Sequence, residues 1–303
     1  MKSIRDLYKI GKGPSSSHTM GPSRAAALFR SETPNAERYE VVLYGSLSKT
    51  GVGHGTDRVI RDVFAPKDVQ IIFSESDPAD LKHPNTLDLS AFRGAEKIGF
   101  MRVESIGGGD IIVEGRPGLE PPEVYPENSF AEIAQFCAWR QVSLPQYVEM
   151  NEGPEIWDFL KDIWNAMRKE IHDGLSAEGI LPGGLNVQRK AKYLFERGHQ
   201  VDIPQVRELQ QVCAYAFAAA EQNADNGTIV TAPTCGSCGV LPAVLLYLQD
   251  KYKFTDEKIA EALSVAGLLG CLIKRNASVS GAECGCQAEI GSACSMAAAA
   301  MSQ

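Results

Sequence analysis

Apolar positions in the N-terminal part of the chain cluster in short β-branched and aromatic runs; further on they recur at helical spacing. Tyr39 to Tyr44 (Tyr-Glu-Val-Val-Leu-Tyr) predicts a strand, as do Val69 to Ser74, Phe100 to Ser105 and Ile111 to Glu114. The last is set off by Gly107-Gly108-Gly109. Met1 to Ile10 reads as a short amphipathic helix, and Pro22 to Phe29 as another whose Ala25, Ala26 and Ala27 permit close packing. Four prolines and a glycine between Arg116 and Pro126 mark a linker, because each proline fixes φ and removes a donor. From Ser129 onward the pattern predicts helices over Phe130 to Gln141, Ser143 to Asn151, Glu155 to Asp173, Asn186 to Arg197 and Pro204 to Asp225. Gly239 to Gln249 and Asp256 to Leu272 follow, and Met296 to Met301 strongly favours helix. The expected fold is α+β: an N-terminal α/β sandwich-like domain over 1–118, a linker over 119–128 and an all-helical domain over 129–303.

A length of 303 residues agrees with about two domains. The net charge of -8 argues against a nucleic-acid partner, since phosphate neutralisation needs a basic stripe and Lys and Arg are scattered. Apolar runs such as Gly239 to Leu248 are too short to span a bilayer, and the first residues lack the apolar core of a secretory signal. We therefore expect no membrane partner and a cytoplasmic location. In that reducing setting the eight cysteines point to metal binding or catalysis rather than to disulfides. Cys137, Cys213 and Cys271 sit in apolar helical contexts and read as small buried hydrophobes; the other five fall in two glycine-rich segments.

Gly11 to Pro22 is a loop of hydroxyls and amides entering a helix, suited to holding a carboxylate or phosphate on backbone N–H groups or to capping the helix. In Gly53-His54-Gly55-Thr56-Asp57 the flanking glycines leave His54 unscreened and Asp57 could orient it, a pattern compatible with a general base. His83-Pro84-Asn85-Thr86 places a further imidazole beside an amide, whereas His172 and His199 read as solvated. Gly179 to Leu185 is a helix-breaking loop. Asn226 to Gly239 contains the C-x-x-C pair Cys235 and Cys238, without the second pair of a zinc ribbon or the βαβ frame of a thioredoxin; these thiols read as lining a cavity. Asn276 to Gly291 carries Cys284 and Cys286 among Glu283, Gln287 and Glu289, with Cys294 just beyond, and thiolates are soft ligands for zinc, copper(I) or iron–sulfur clusters.

Together these segments resemble the iron–sulfur-dependent L-serine dehydratases of bacteria. The resemblance rests on Gly13-Pro14-Ser15-Ser16-Ser17-His18-Thr19, Leu43-Tyr44-Gly45-Ser46-Leu47, Gly53 to Asp57, Leu181-Pro182-Gly183-Gly184-Leu185, Thr231-Ala232-Pro233-Thr234 and Asn276 to Gly291, in the family's order. It implies a single-chain form, with a β-type domain similar to an allosteric serine-binding domain before an α-type catalytic domain. It also implies conversion of L-serine to pyruvate and ammonia in amino-acid catabolism and gluconeogenesis.

The same resemblance implies a [4Fe–4S] cluster held by three cysteines, with one iron left open as a Lewis acid. Its first ligand lies in the Gly-Cys-Gln motif, here Cys286; the other two lie in Cys-Asp-Pro and Pro-Cys-Ile-Glu-Arg segments, which these 303 residues do not contain. Cys286 is thus the one ligand expected here, Cys294 reads as packing, and the chain is expected to be incomplete. The resemblance makes His54 the candidate base, with Ser15, Ser16, Ser17, His18 and Thr19 binding the substrate's carboxylate and amino group. His83 and Asn85 would assist, with Thr234 and Lys274 contributed by the helical domain. The expected partners are L-serine and a second copy in a homodimer. Three rivals stand beside this reading: an L-cysteine desulfidase-like lyase, a non-catalytic serine-binding regulatory chain, and a zinc protein using Cys235, Cys238, Cys284 and Cys286.

Overall fold

The computed structural model describes residues 1–116, 122–198, 202–277, 279 and 281–303, with the side chains of 281–284 and 286 outside that description. The chain divides into two compact units: Lys12–Glu120, and Met1–Gly11 together with Pro121–Gln303. Residues 119–121 of the expected linker over 119–128 fall outside the described residues.

The chain begins with a 3-10 turn over Ile4–Asp6 and the short strand β1 (Ile10–Lys12), where the periodicity predicts a helix. Tertiary contacts override it. Ile4, Leu7 and Tyr8 are buried in the core of the helical unit, and the Tyr8 hydroxyl donates to the Leu263 carbonyl at 2.9 Å. Glu152 anchors the same segment by accepting from Ser3 Oγ (2.6 Å), the Ile4 N–H (2.8 Å) and the Tyr125 hydroxyl (2.8 Å).

The unit of Lys12–Glu120 starts with a π-helical turn over Ser16–Met20, then α1 (Gly21–Glu32), β2 (Arg38–Leu43), α2 (Gly45–His54), α3 (Thr56–Phe64) and β3 (Asp68–Phe73). Strands β4 (Thr86–Arg93), β5 (Glu96–Gly107) and β6 (Asp110–Val113) complete a five-stranded sheet of order β3-β2-β4-β5-β6. Only β2 and β3 pair in parallel, across the helical connection through α2 and α3. Tyr39, Val41 and Leu43 alternate onto the buried face of β2 and join Ala25, Ala26 and Phe29 of α1 with Ile60 and Phe64 of α3. Tyr39 and Phe64 stack with centroids 4.0 Å apart. Strand β4 is not expected from sequence, because Asp88, Ser90 and Ala91 are poor strand formers. All three are nevertheless buried, and Asp88 is compensated by a bidentate Arg102 (2.7 and 2.8 Å) and the Tyr44 hydroxyl (3.1 Å).

The other unit carries α4 (Phe130–Arg140), α5 (Leu144–Glu152), α6 (Ile156–Ser176), α7 (Ala191–Gly198) and α8 (Pro204–Ala224). Strand β7 (Thr228–Val230) pairs with β1, so this unit is helical with one small sheet. Helices α9 (Val240–Tyr252), α10 (Asp256–Asn276) and α11 (Gly281–Ser302) complete it, α11 being broken at Gly285. Reciprocal capping boxes, Ser129 with Glu132 and Ser143 with Gln146, start α4 and α5. Leu160, Ile163, Trp164 and Met167 of α6 pack with Leu241, Leu245, Leu263 and Leu268 in the core. Helix α7 starts five residues later than the expected Asn186, because Asn186 takes a left-handed φ of 52° and the Leu181 N–H donates to the Val187 carbonyl, closing a turn instead. No helix among the described residues is long and apolar enough to cross a membrane.

Candidate active site

Ser15 is extended (φ -138°, ψ 125°) and caps the π-helical turn, its Oγ accepting from the His18 N–H at 3.3 Å. Thr19 braces the turn from within: fully buried, its hydroxyl faces the carbonyls of Lys12 (2.6 Å) and Ser15. Helix α1 starts immediately after, tight against β5. A Cβ on Gly21 would lie 2.0 Å from Ser105 Oγ, so glycine is what permits the approach; Ser105 Oγ in turn donates to the Ser17 carbonyl at 2.8 Å.

These contacts hold His18 at the centre of a hydroxyl cluster. Its Nδ1 lies 3.1 Å from Ser17 Oγ and 3.3 Å from Ser15 Oγ, and its Nε2 lies 3.0 Å from Ser46 Oγ at the start of α2. The His54 ring, at the end of α2, stacks on it with centroids 4.4 Å apart. Burial and then the neighbouring His54 push His18 down to about 4, so it is neutral at pH 7. The half-buried His54 is oriented by a backbone group: its Nδ1–H donates to the Thr50 carbonyl at 2.8 Å. A carbonyl only accepts, so in the neutral ring Nδ1 carries the proton and Nε2 carries the lone pair.

The His83–Asn85 loop joins the same neighbourhood. The Ser46 N–H donates to the Pro84 carbonyl at 2.7 Å, and the Ser105 N–H to the Asn85 carbonyl at 2.9 Å. His83 Nδ1 accepts from the Asn85 N–H at 3.1 Å, and Asn85 Nδ2 reaches the Ser105 carbonyl at 3.4 Å. Asn85 is 8 % exposed, and its Oδ1 is buried without a hydrogen-bond partner. Such an acceptor is costly unless a donor arrives. Ser15, Ser17, His18, His54 and Asn85 are therefore linked through Ser46 and Ser105, while Ser16 takes part through its carbonyl, which accepts from the Gly21 N–H. Sequence reasoning alone gives no site role to Ser46, Thr50 or Ser105. Ser46 lies in the Leu43 to Leu47 motif without a role assigned to it, and nothing in the local sequence of Thr50 and Ser105 distinguishes them from ordinary helix and strand hydroxyls; the fold brings all three to the histidines.

In the helical unit, Thr234 is buried with its Oγ1 3.1 Å from Ser237 Oγ. Lys274 lies in the last turn of α10 and lines a pocket with Met1, Lys2, Ser3, Asp6, Leu7, Glu123, Cys271 and Arg275. Cys286 lies in α11, and its side chain, like that of Cys284, is outside the described residues. Cys294, expected to pack, is exposed on α11, and Cys213 is half-buried rather than buried; Cys137 and Cys271 are buried. Cys235 and Cys238 are each 1 % exposed, and burial, with nearby carboxylates second, pushes both thiols up. Among the described residues no three His, Cys, Asp or Glu side chains converge to hold a metal ion. They do not by themselves supply the ligand set of a cluster.

Residues 3–65 match the family model of the serine dehydratase beta chain, and residues 76–303 that of the serine dehydratase alpha chain. The chain is 36% identical to an L-serine dehydratase of Streptomyces coelicolor, over 99% of this chain and 78% of that protein. It is likewise 36% identical to L-serine dehydratase TdcG of Escherichia coli, over 100% of this chain and 78% of that protein. Identity to an L-serine dehydratase of Helicobacter pylori is 32%, over 98% and 77% respectively.

Proposed function

Because the chain belongs to the serine dehydratase family, we propose that it is an L-serine ammonia-lyase, a carbon–nitrogen lyase that converts L-serine to pyruvate and ammonia. The observation that carries this is the pair of family matches, which together span nearly the whole chain.

Serine resists elimination for two reasons: its α-proton is weakly acidic, and hydroxide leaves poorly. His54 is the base in this proposal, because Nδ1–H donates to the Thr50 carbonyl, which puts the ring's lone pair on Nε2 as the proton acceptor. Ser15, Ser16 and Ser17 supply hydroxyl donors for the carboxylate beside the neutral His18, and Asn85 Oδ1 is an acceptor awaiting the ammonium. Removal of the α-proton and loss of hydroxide gives aminoacrylate and water. Its imine tautomer hydrolyses to pyruvate and ammonia, so atoms balance. His83 orders the loop that carries Asn85, and Thr19 braces the turn. Thr234 and Lys274 are the substrate-binding candidates of the helical unit.

The proposal includes a [4Fe–4S] cluster with Cys286 as a ligand, which when bound would supply an open iron as Lewis acid for the departing hydroxyl. It also includes a homodimer and a cytoplasmic location. The deciding experiment is anaerobic reconstitution with iron and sulfide, followed by metal analysis and a pyruvate assay with L-serine and L-cysteine in parallel. Iron and sulfide uptake with pyruvate formed from L-serine would support the cluster and the activity, and would mean that this chain's own cysteines suffice as ligands. Stoichiometric zinc instead of iron would sink the cluster, and faster sulfide release from L-cysteine would move the chain to the desulfidase reading.

A further inference from the structure

We propose that Ser46 is a positioning residue: its hydroxyl donates to His18 Nε2, fixes the imidazole proton on Nδ1, and so turns the Ser15 and Ser17 hydroxyls outward as hydrogen-bond donors. The use of those donors on a substrate carboxylate rests on the lyase reading. The tautomer itself rests on the geometry of the Lys12–Glu120 unit.

A neutral imidazole has one N–H and one lone pair, and the partner at one nitrogen decides the state of the other. Hydroxyls flank both nitrogens of His18. Ser46 Oγ lies 3.0 Å from Nε2, while Ser17 Oγ and Ser15 Oγ lie 3.1 and 3.3 Å from Nδ1. With the proton on Nε2, the ring donates to Ser46, whose own hydrogen then meets no acceptor among the described residues. Nδ1 would also draw a serine hydrogen inward, away from any ligand. With the proton on Nδ1, the Ser46 hydrogen is used on Nε2, and Nδ1–H donates to the serine oxygens. Ser15 Oγ already acts as an acceptor, for the His18 N–H at 3.3 Å, so its own hydrogen stays available. The second arrangement leaves no half-buried donor unmet, and an unmet donor is costly.

The backbone holds Ser46 in place for this contact. Its N–H donates to the Pro84 carbonyl at 2.7 Å, and its carbonyl accepts from Thr50 Oγ1 at 2.8 Å. That carbonyl is the one group favouring a proton on Nε2, and sharing it with Thr50 weakens the effect. The ring is fixed from the other side as well: Thr56 Oγ1 donates to the His18 carbonyl at 2.7 Å, and Ser105 Oγ to the Ser17 carbonyl at 2.8 Å. The same donation separates the two stacked imidazoles by role. With Nε2 occupied by Ser46 and the proton on Nδ1, His18 offers a substrate no basic nitrogen, and the base of the pair is His54.

The test is nitrogen–proton NMR correlation of the histidine-labelled whole chain at pH 7, with His18→Gln assigning the signal. His18 is expected to carry its proton on Nδ1 in the parent and in Ser46→Thr. In Ser46→Ala it should move toward Nε2, where the carbonyl of residue 46 is the remaining partner. A proton on Nε2 in the parent would overturn the proposal whether or not any variant folds, and so would an unchanged tautomer in Ser46→Ala. In the reconstitution assay Ser46→Ala should raise KM for L-serine about tenfold, the loss of one hydrogen bond to a charged group, and Ser46→Thr should restore it. An unchanged KM beside an altered tautomer would remove the donor role. No pyruvate from L-serine in any form, with the tautomers as expected, would defeat the lyase reading and leave Ser46 in control of the ring.

Discussion

His18 and His54 stack face to face, with ring centroids 4.4 Å apart and planes 26° from parallel. Two imidazoles this close, one of them buried, cannot both take a proton cheaply. Burial and His54 therefore hold His18 down to about 4, while Ser46 acts weakly the other way. In the unfolded chain the group returns to about 6.5. Between those values the unfolded state binds more protons, so acidification from pH 6.5 to 4 costs stability, and above pH 6.5 the contribution is complete. The expected loss is roughly 2 to 3 kcal/mol over that window. Urea titrations at several pH values should show it in the parent and not in His18→Gln; identical slopes in the two would refute the neutral buried ring.

The orientation of His54 gives a kinetic prediction. Glutamine at this position cannot accept the α-proton, so His54→Gln should lower kcat for pyruvate formation by about 10²- to 10⁴-fold. The melting temperature, measured beside it, separates this kinetic loss from any loss of the stack on His18. A loss below about tenfold would remove His54 from the role of base.

Gly45 ties the hydroxyl cluster to the backbone. It sits at a left-handed φ of 52°, and a Cβ there would lie 2.5 Å from the Pro84 carbonyl oxygen. Gly45→Ala combines backbone strain with a clash against main chain, and should cost about 2 to 4 kcal/mol while shifting Ser46 away from His18. Gly94 is the control: its φ is 56°, and a Cβ there would meet nothing within 4 Å, so Gly94→Ala should cost only the strain, about 1 kcal/mol. Denaturant midpoints of the two variants separate the terms, and equal losses would mean that the Pro84 approach is not tight.

What the sequence shows of this fold depends on whether a segment's local preference agrees with its neighbours. Tyr39 to Tyr44 is β-branched, aromatic and alternating, and it pairs as expected. Strand β4 hides because alternate positions carry the polar Thr86, Asp88 and Ser90, and the burial of Asp88 becomes tolerable only when Arg102 arrives from β5. Met1 to Ile10 misleads in the opposite sense: its helical spacing is real, but Glu152, Leu263 and β7 use its donors and acceptors differently. The site follows the same rule. Motifs made of neighbouring residues, such as Ser15 to Thr19, stand out in one dimension, whereas Ser46, Thr50 and Ser105 meet the histidines only in three. The pocket at Lys274 likewise draws on residues 1–7, 123 and 271–275, which no local pattern connects.

Glu170 provides a final test, one of electrostatics in the helical core. It is 1 % exposed, its Oε2 accepts from the Val230 N–H at 2.7 Å, and its Oε1 has no hydrogen-bond partner. Burial raises its carboxyl well above the usual range, against the opposing effect of that one hydrogen bond. The native state therefore holds a proton that the unfolded chain releases near pH 4.5. Stability falls as pH rises from that value through the raised one, because the native state binds more protons throughout the interval. Glu170→Gln keeps the acceptor for Val230 and cannot ionise. Its stability relative to the parent should therefore climb from pH 5 to pH 8. Denaturant midpoints measured at both ends decide it, and parallel pH profiles would show that Glu170 is already ionised in the folded protein.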